Sequence, residues 1–212
     1  MFELLHKGGF FMYPILAVSV IALALSCERA LALYVKLKLN ADLAFHRVLA
    51  ALDGYNFKGA LEECSKIDHH PLGRILKAGL LKSDKRDKDI ELAMEEKIMA
   101  EVPMVRGRIN YLTLFANIST LLGLLGTIQG LIMAFQGVST ATEAMRQEVL
   151  AEGISVAMLT TAFGLIVAIP CLVAYYVLNS RGEHLIEKLE EKALGLLNTL
   201  SSLKKEREAA CP

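Results

Sequence analysis

The chain has 212 residues, 54% of them hydrophobic, with 23 basic residues set against 23 acidic ones, no tryptophan and four cysteines. A formal charge of zero argues against a nucleic-acid partner, which would call for a basic surplus, and apolar residues gathered into long runs point to a membrane protein. Cys27, Cys64, Cys171 and Cys211 share no metal-ligand spacing and lie in separate segments, which argues against a zinc site or disulfide framework and favours free thiols.

Residues 1–7 precede the first apolar run, which extends from Gly8 to Cys27 and resumes at Ala30 to Val35. A helix needs about 20 such residues to cross a bilayer of about 30 Å, so 8–35 reads as the first transmembrane helix, with Pro14 tolerated in its first turn. Lys7 before the run and Ala22-Leu23-Ala24 within it have the outline of a cleavable secretory signal. One basic residue is a poor leader, however, and the return of apolar sequence favours a retained span.

Residues 36–108 carry fourteen Lys or Arg and twelve Asp or Glu, the composition of a water-facing domain. Helical spacing recurs in Leu43, Val48, Leu49 and Leu52, then in Ala60, Leu61, Cys64 and Ile67, then in Leu72, Ile75, Leu76, Gly79 and Leu80. Asp53-Gly54 and Asp68 to Pro71 read as breaks, and the adjacent His69 and His70 as a solvated turn without converging metal ligands. A longer helix is expected to begin near Asp84 to Asp89, where acids suit a helix N-terminus, with Pro103 as a candidate kink.

The second transmembrane helix is assigned to 109–136, ending before the Gly137 to Thr142 stretch. Residues 137–152 form a loop, and 153–180 the third transmembrane helix. In 181–212 the stripe Leu185, Leu189, Leu196, Leu200 and Leu203 accompanies many charges, so the third span should continue as an amphipathic helix, with Glu206 to Pro212 frayed. Basic residues abound before the second span and after the third, while Arg146 alone faces three glutamates between them. The positive-inside bias then places the N-terminus (1–7) and the 137–152 loop in the periplasm and the domain and C-terminus in the cytoplasm. The fold class is therefore an all-α membrane protein with three transmembrane helices, the second and third extended into a cytoplasmic helical bundle.

The spans carry a specific pattern. In the second, Thr113, Ala116, Thr120, Gly123, Thr127, Gly130 and Ala134 recur at steps of three and four; in the third, Gly153, Ala157, Thr161, Gly164, Ala168 and Cys171 do the same. Two stripes of small or hydroxylated side chains can pack on each other or line a narrow channel. Neither span contains an acid, and hydroxyls hold water or hydrogen-bond an ion without storing a proton. A proton path through these helices would need its titrating group from a second protein.

The block Leu121 to Gly130 (LLGLLGTIQG) with Ala134 and Phe135, and the later block Gly153-Ile154, Thr160-Thr161-Ala162, Gly164, Ala168-Ile169-Pro170 with Tyr175 or Tyr176 and Asn179, resemble the paired motifs of the MotA/TolQ/ExbB proton-channel family. Length and layout are most similar to the ExbB and TolQ branches. The resemblance implies a subunit of the bacterial inner membrane that turns proton-motive force into mechanical work as a homo-oligomer, a pentamer. It also implies a single-span partner of the ExbD/TolR type carrying an intramembrane aspartate, a TonB/TolA-type protein as a further partner, and membrane lipids around the ring.

By position, Thr127 and Thr161 match the family's pore threonines, and Thr120, Gly123, Gly130, Ala157, Thr160 and Gly164 join them as candidate pathway residues. Val156 stands where ExbB-like members often carry glutamate, and Thr120 where a proline is common. No cofactor or metal is implied. The absence of a phosphate cradle, nucleophile elbow or carboxylate dyad argues against an enzyme. A flagellar or gliding stator, a secondary transporter and a passive membrane scaffold are the other readings of the same segments.

Overall fold

The computed structural model describes residues 9–37, 41–53 and 56–210. Among these the chain is helical, without strands: α1 (Met12–Leu31) running into a π-helical turn (Ala32–Lys36), α2 (Ala41–Asp53), α3 (Phe57–Lys66), α4 (Pro71–Leu80), α5 (Asp87–Arg106), α6 (Asn110–Thr140) and α7 (Arg146–Ala210). Three helical stretches, Met12–Val35, Asp87–Thr140 and Arg146–Arg207, are long and apolar enough to cross a membrane. The protein is an all-α, multi-pass membrane protein.

The ends of the elements follow local chemistry. Asn56 caps α3 by accepting from the Gly59 N–H at 2.9 Å, and Pro71 opens α4 at a position where its missing N–H would be unpaired in any case. Asp87 and Asp89 sit in the first turn of α5, where the helix dipole favours acids. Gly107 and Arg108, the latter at φ 65°, end α5. Glu28 reaches Arg108 at 2.7 Å. Two helices outrun their expected limits: α6 continues to Thr140, and α7 begins at Arg146 and stays helical through Ala210. Hydroxyls of Ser139 and Thr140 bond back to carbonyls of Gln136 and Gly137 in the last turns of α6, which satisfies these polar side chains locally. Cys211 and Pro212 lie outside the described residues.

The chain divides into two compact units, one of Met1–Ala30 with Arg108–Asn179 and the other of Leu31–Gly107 with Ser180–Pro212. In the first, Ile15 and Ala22 of α1 pack with Ala116 of α6 and Val167, Ala168 and Cys171 of α7. Large apolar side chains such as Val20, Leu124, Ile128, Ile166 and Val173 point outward, an arrangement that suits lipid.

The second unit has a continuous apolar core drawn from α2 to α5 and the C-terminal part of α7, including Phe45, Val48, Leu72, Leu76, Ile90, Met94, Leu189, Leu196 and Leu200. Burial pushes the Cys64 thiol up to about 11, so it stays protonated and unreactive. Lys192 on α7 ties to Asp42 on α2 at 2.6 Å and lies over the Phe45 ring. Arg181 lies over the Tyr34 ring, 5.5 Å from its centroid.

Arg74 of α4 grips Glu101 of α5 through two bonds of 2.7 and 2.6 Å. Glu101 is 7% exposed, and Lys97 stands 4.0 Å away. Glu101 thus pairs within this unit, while Arg106 pairs with Glu183 at 3.8 Å. His70 departs from the expected solvated turn: His69 is exposed, but His70 is 1% exposed. Its Nδ1 accepts from the Leu72 N–H at 3.1 Å and caps α4. Burial lowers its pKa, His69 and Arg74 act in the same sense, and the Leu37 backbone and Glu101 oppose them.

Two outcomes are expected. Glu101→Ala strands the Arg74 guanidinium and should destabilise the protein by about 2 kcal/mol, less than the ~3–5 kcal/mol of a fully buried pair because Arg74 is partly solvated. A joint Arg74→Leu and Glu101→Leu change should cost less; thermal unfolding in detergent measures both. For His70 the folded state resists protonation, so the unfolded chain takes the proton first as pH falls. Stability should be level above the ordinary value of 6.5 and decline below it. A His70→Asn cap should flatten that slope in a pH series of melting curves.

Candidate functional site

The line along which α6 and α7 meet is set by residues with almost no side chain. On α6 the buried positions are Leu112, Ala116, Ser119, Gly123, Gly126, Gly130 and Ala134, each three or four residues after the last, as one helical face requires. Opposite them lie Gly153, Ala157, Thr160 and Gly164, all buried.

The approach is at backbone distance. A Cβ on Gly123 would stand 3.3 Å from Thr161 Cα and 3.4 Å from Gly164 Cα, and one on Gly164 would meet the Ser119 carbonyl oxygen at 2.7 Å. Gly126 makes room for the Thr160 side chain, whose Oγ1 would be 2.5 Å from an added Cβ. Gly130 does the same for Ala157, whose backbone nitrogen would be 2.9 Å away, and Gly153 fits against Ala134. Such contact brings dispersion forces and backbone dipoles together where lipid offers no hydrophobic drive for helix pairing.

The hydroxyls are anchored. Thr161 Oγ1 donates across the seam to the Gly123 carbonyl at 3.1 Å, Thr160 Oγ1 donates within its own helix at 3.0 Å, and Thr120 Oγ1 donates to Ala116 O at 3.0 Å. Thr127 Oγ1 donates to Leu124 O at 2.6 Å from a half-buried position whose hydroxyl faces outward. With its one hydrogen committed, each of these oxygens still offers lone pairs as an acceptor. Ser119 Oγ and Thr113 Oγ1 are buried without a hydrogen-bond partner among the described residues. Charge is absent from Ile109 to Thr142 and again from Gly153 to Ser180, and no group of three metal-ligating side chains occurs among the described residues.

The structure therefore gathers Gly123, Gly130, Ala157, Thr160, Thr161 and Gly164 into one seam and leaves Thr120 and Thr127 off its buried line, with Ser119 and Gly126 in their places. Steps of three from Ala116 and Gly123 lead to Ser119 and Gly126; steps of four lead to Thr120 and Thr127. A period of about 3.6 allows either. The glycine at 126 was the available signal, since a missing side chain permits the closest approach.

Residues 67–191, more than half of the chain and including α6 and most of α7, match the MotA/TolQ/ExbB proton channel family. The chain belongs to this family. A Synechocystis sp. protein bearing the name biopolymer transport protein ExbB-like 3 is 32% identical over 177 residues, which cover 82% of each chain. The family's channel chemistry thus meets, in this member, a pair of helices with no ionisable acid along their uncharged runs. Replacing Gly130 by Val should force α6 and α7 apart, at a cost of about 1–3 kcal/mol typical of overpacking. Thermal stability in detergent, with Leu131→Val on the exposed face as the control, measures it.

Proposed function

We propose that this chain is the proton-channel subunit of an energy-transducing motor in the bacterial inner membrane. It would work as a homopentamer around a single-span ExbD/TolR-type partner, with a TonB/TolA-type protein receiving the work. The observation that carries this reading is chemical: two membrane helices of a proton-channel family carry hydroxyls and no acid through their uncharged lengths, so the proton-binding carboxyl comes from another chain. The charge distribution supports a periplasmic N-terminus and a cytoplasmic C-terminus.

Direct contact between α6 and α7 backbones leaves no room between their seam residues in one copy. That supports a path bordered by several copies and the partner helix. Thr127 and Thr161, whose hydrogens are engaged with backbone carbonyls, present lone pairs that accept from a protonated, neutral acid better than they serve a carboxylate. Protonation would remove the cost of holding a charge among apolar helices, and the neutral partner helix would then be free to move. Thr120, Thr160, Gly123, Gly130, Ala157 and Gly164 would shape the wall beside it.

Proton flux into liposomes holding the complex purified from its host tests this reading. Thr127→Val and Thr161→Val should lower flux several-fold with assembly preserved, and Thr161→Ser, which keeps the hydroxyl, should recover most of it. Flux of equal size from this chain alone, without any second polypeptide, would overturn the assignment. Uptake dependent on an added solute would point to a secondary transporter, and no flux from the complete complex to a passive scaffold.

A further inference from the structure

The uncharged run of α1 ends at Cys27 and that of α6 begins at Ile109, so Glu28, Arg29 and Arg108 flank two membrane spans. The fold brings these two boundaries together on a single atom. Arg29 Nη2 stands 3.1 Å from Glu28 Oε1, and Arg108 Nη1 stands 2.7 Å from the same oxygen. One carboxylate thus serves two guanidiniums, and no other acid among the described residues pairs with either, so the cluster keeps a surplus positive charge. Arg29 is enclosed: its side chain is 12% exposed and its Nε is buried without an acceptor, a burial whose cost a shared carboxylate offsets only in part. Arg108 is 59% exposed and opens the pair to its surroundings.

The backbone is strained at the same place. Arg108 has the one positive φ of a non-glycine residue among those described, 65°, a conformation disfavoured for any residue with a Cβ. Gly107, which would adopt it freely, stands beside it at φ −55°. Strain of this kind accompanies sites where a particular side chain has to be aimed. Around the charges the surface is apolar: Leu23 on α1 and Tyr111 and Leu114 on α6 are exposed and lie within roughly two turns of the cluster along their helices. Tyrosine is favoured at the level of lipid headgroups.

We propose that Arg29 and Arg108 form a binding site for the phosphate of an anionic membrane lipid, in which a phosphate oxygen competes with Glu28 Oε1 for the place between them. A guanidinium presents several N–H donors in a plane that fits phosphate, and among the described residues each of the two has one hydrogen bond to an acceptor. The surplus charge favours a headgroup of net negative charge over a zwitterionic one, whose ammonium it repels. Exposed apolar side chains beside the cluster suit acyl chains, which a free phosphate ion lacks. The site requires only that α1 and α6 cross the membrane, and it is independent of the proton-channel reading.

Native mass spectrometry of the full chain, purified in detergent and mixed with phosphatidylglycerol or phosphatidylcholine in separate samples, tests the site. The anionic lipid should be retained at several-fold lower concentration. Arg108→Gln should abolish that preference, and Arg108→Lys, which keeps the charge and loses the planar fork, should keep only part of it. Glu28→Gln, which removes the competing carboxylate, should raise retention several-fold. Arg181→Gln, at the charged boundary of α7, should leave it unchanged.

Equal retention of the two lipids by the unsubstituted chain overturns the proposal without recourse to any variant. So does a preference that survives Arg108→Gln, or one that Arg181→Gln removes to the same degree, which marks diffuse attraction to a basic belt. Displacement of the lipid by inorganic phosphate at millimolar concentration would mark a site for the free ion and overturn the lipid assignment. Weaker retention in Glu28→Gln would show the carboxylate to be a structural partner of the arginines rather than a competitor, and would overturn it as well.

Discussion

The close approach of α6 to α7 is the constraint on which the rest of the membrane unit depends. It is achieved by omission: glycine at 123, 126 and 130 on one helix and at 153 and 164 on the other leaves backbone facing backbone, a single methyl or, at Gly126, the Thr160 side chain. In water such a seam would bury little apolar area, but within a bilayer the larger side chains gain nothing by leaving lipid for protein. From Ala116 onward the seam therefore takes the small residues, and large side chains such as Leu124, Ile128 and Phe135 go to the outside. Because the pair closes on itself, hydroxyls at its border face whatever lies beside it.

Charge is partitioned as strictly as size. The second unit is held by an apolar core crossed by ion pairs, of which Arg74 with Glu101 is the most enclosed. Arg108 and Glu28 form a pair within the first unit, just where α6's uncharged run begins. Beyond that point α6 is neutral throughout. Along the same stretch the hydroxyls of Thr120 and Thr127 bond to carbonyls of α6 itself, and that of Thr161 crosses from α7 to the Gly123 carbonyl. Close approach and neutrality thus occur on the same stretch of the two helices.

Much of this was legible from residue spacing and charge. Three spans, the breaks at Asp53 and before Pro71, and the start of α5 among acids follow from periodicity, turn chemistry and the helix dipole acting within a few residues. What escaped was decided by packing or by weak local preference. Steps of three and four along α6 fit two neighbouring faces equally well, and only contact with α7 distinguishes Ser119 and Gly126 from Thr120 and Thr127. His70 looks like a loop histidine because its burial is imposed by tertiary contacts. The polar residues at 137–140 and 146–152 read as a loop, yet they are helical, the second group with Glu148 in its first turn, where the helix dipole favours an acid.

The bond from Thr161 to the Gly123 carbonyl joins a side chain to a backbone atom that every amino acid supplies. Drift in the α6 sequence cannot delete that acceptor; it can only displace it by adding bulk. The link is thus vulnerable at one codon for its chemistry and at another for its geometry. Descendants of this gene could consequently diversify their lipid-facing and partner-facing surfaces widely while inheriting the same clasp.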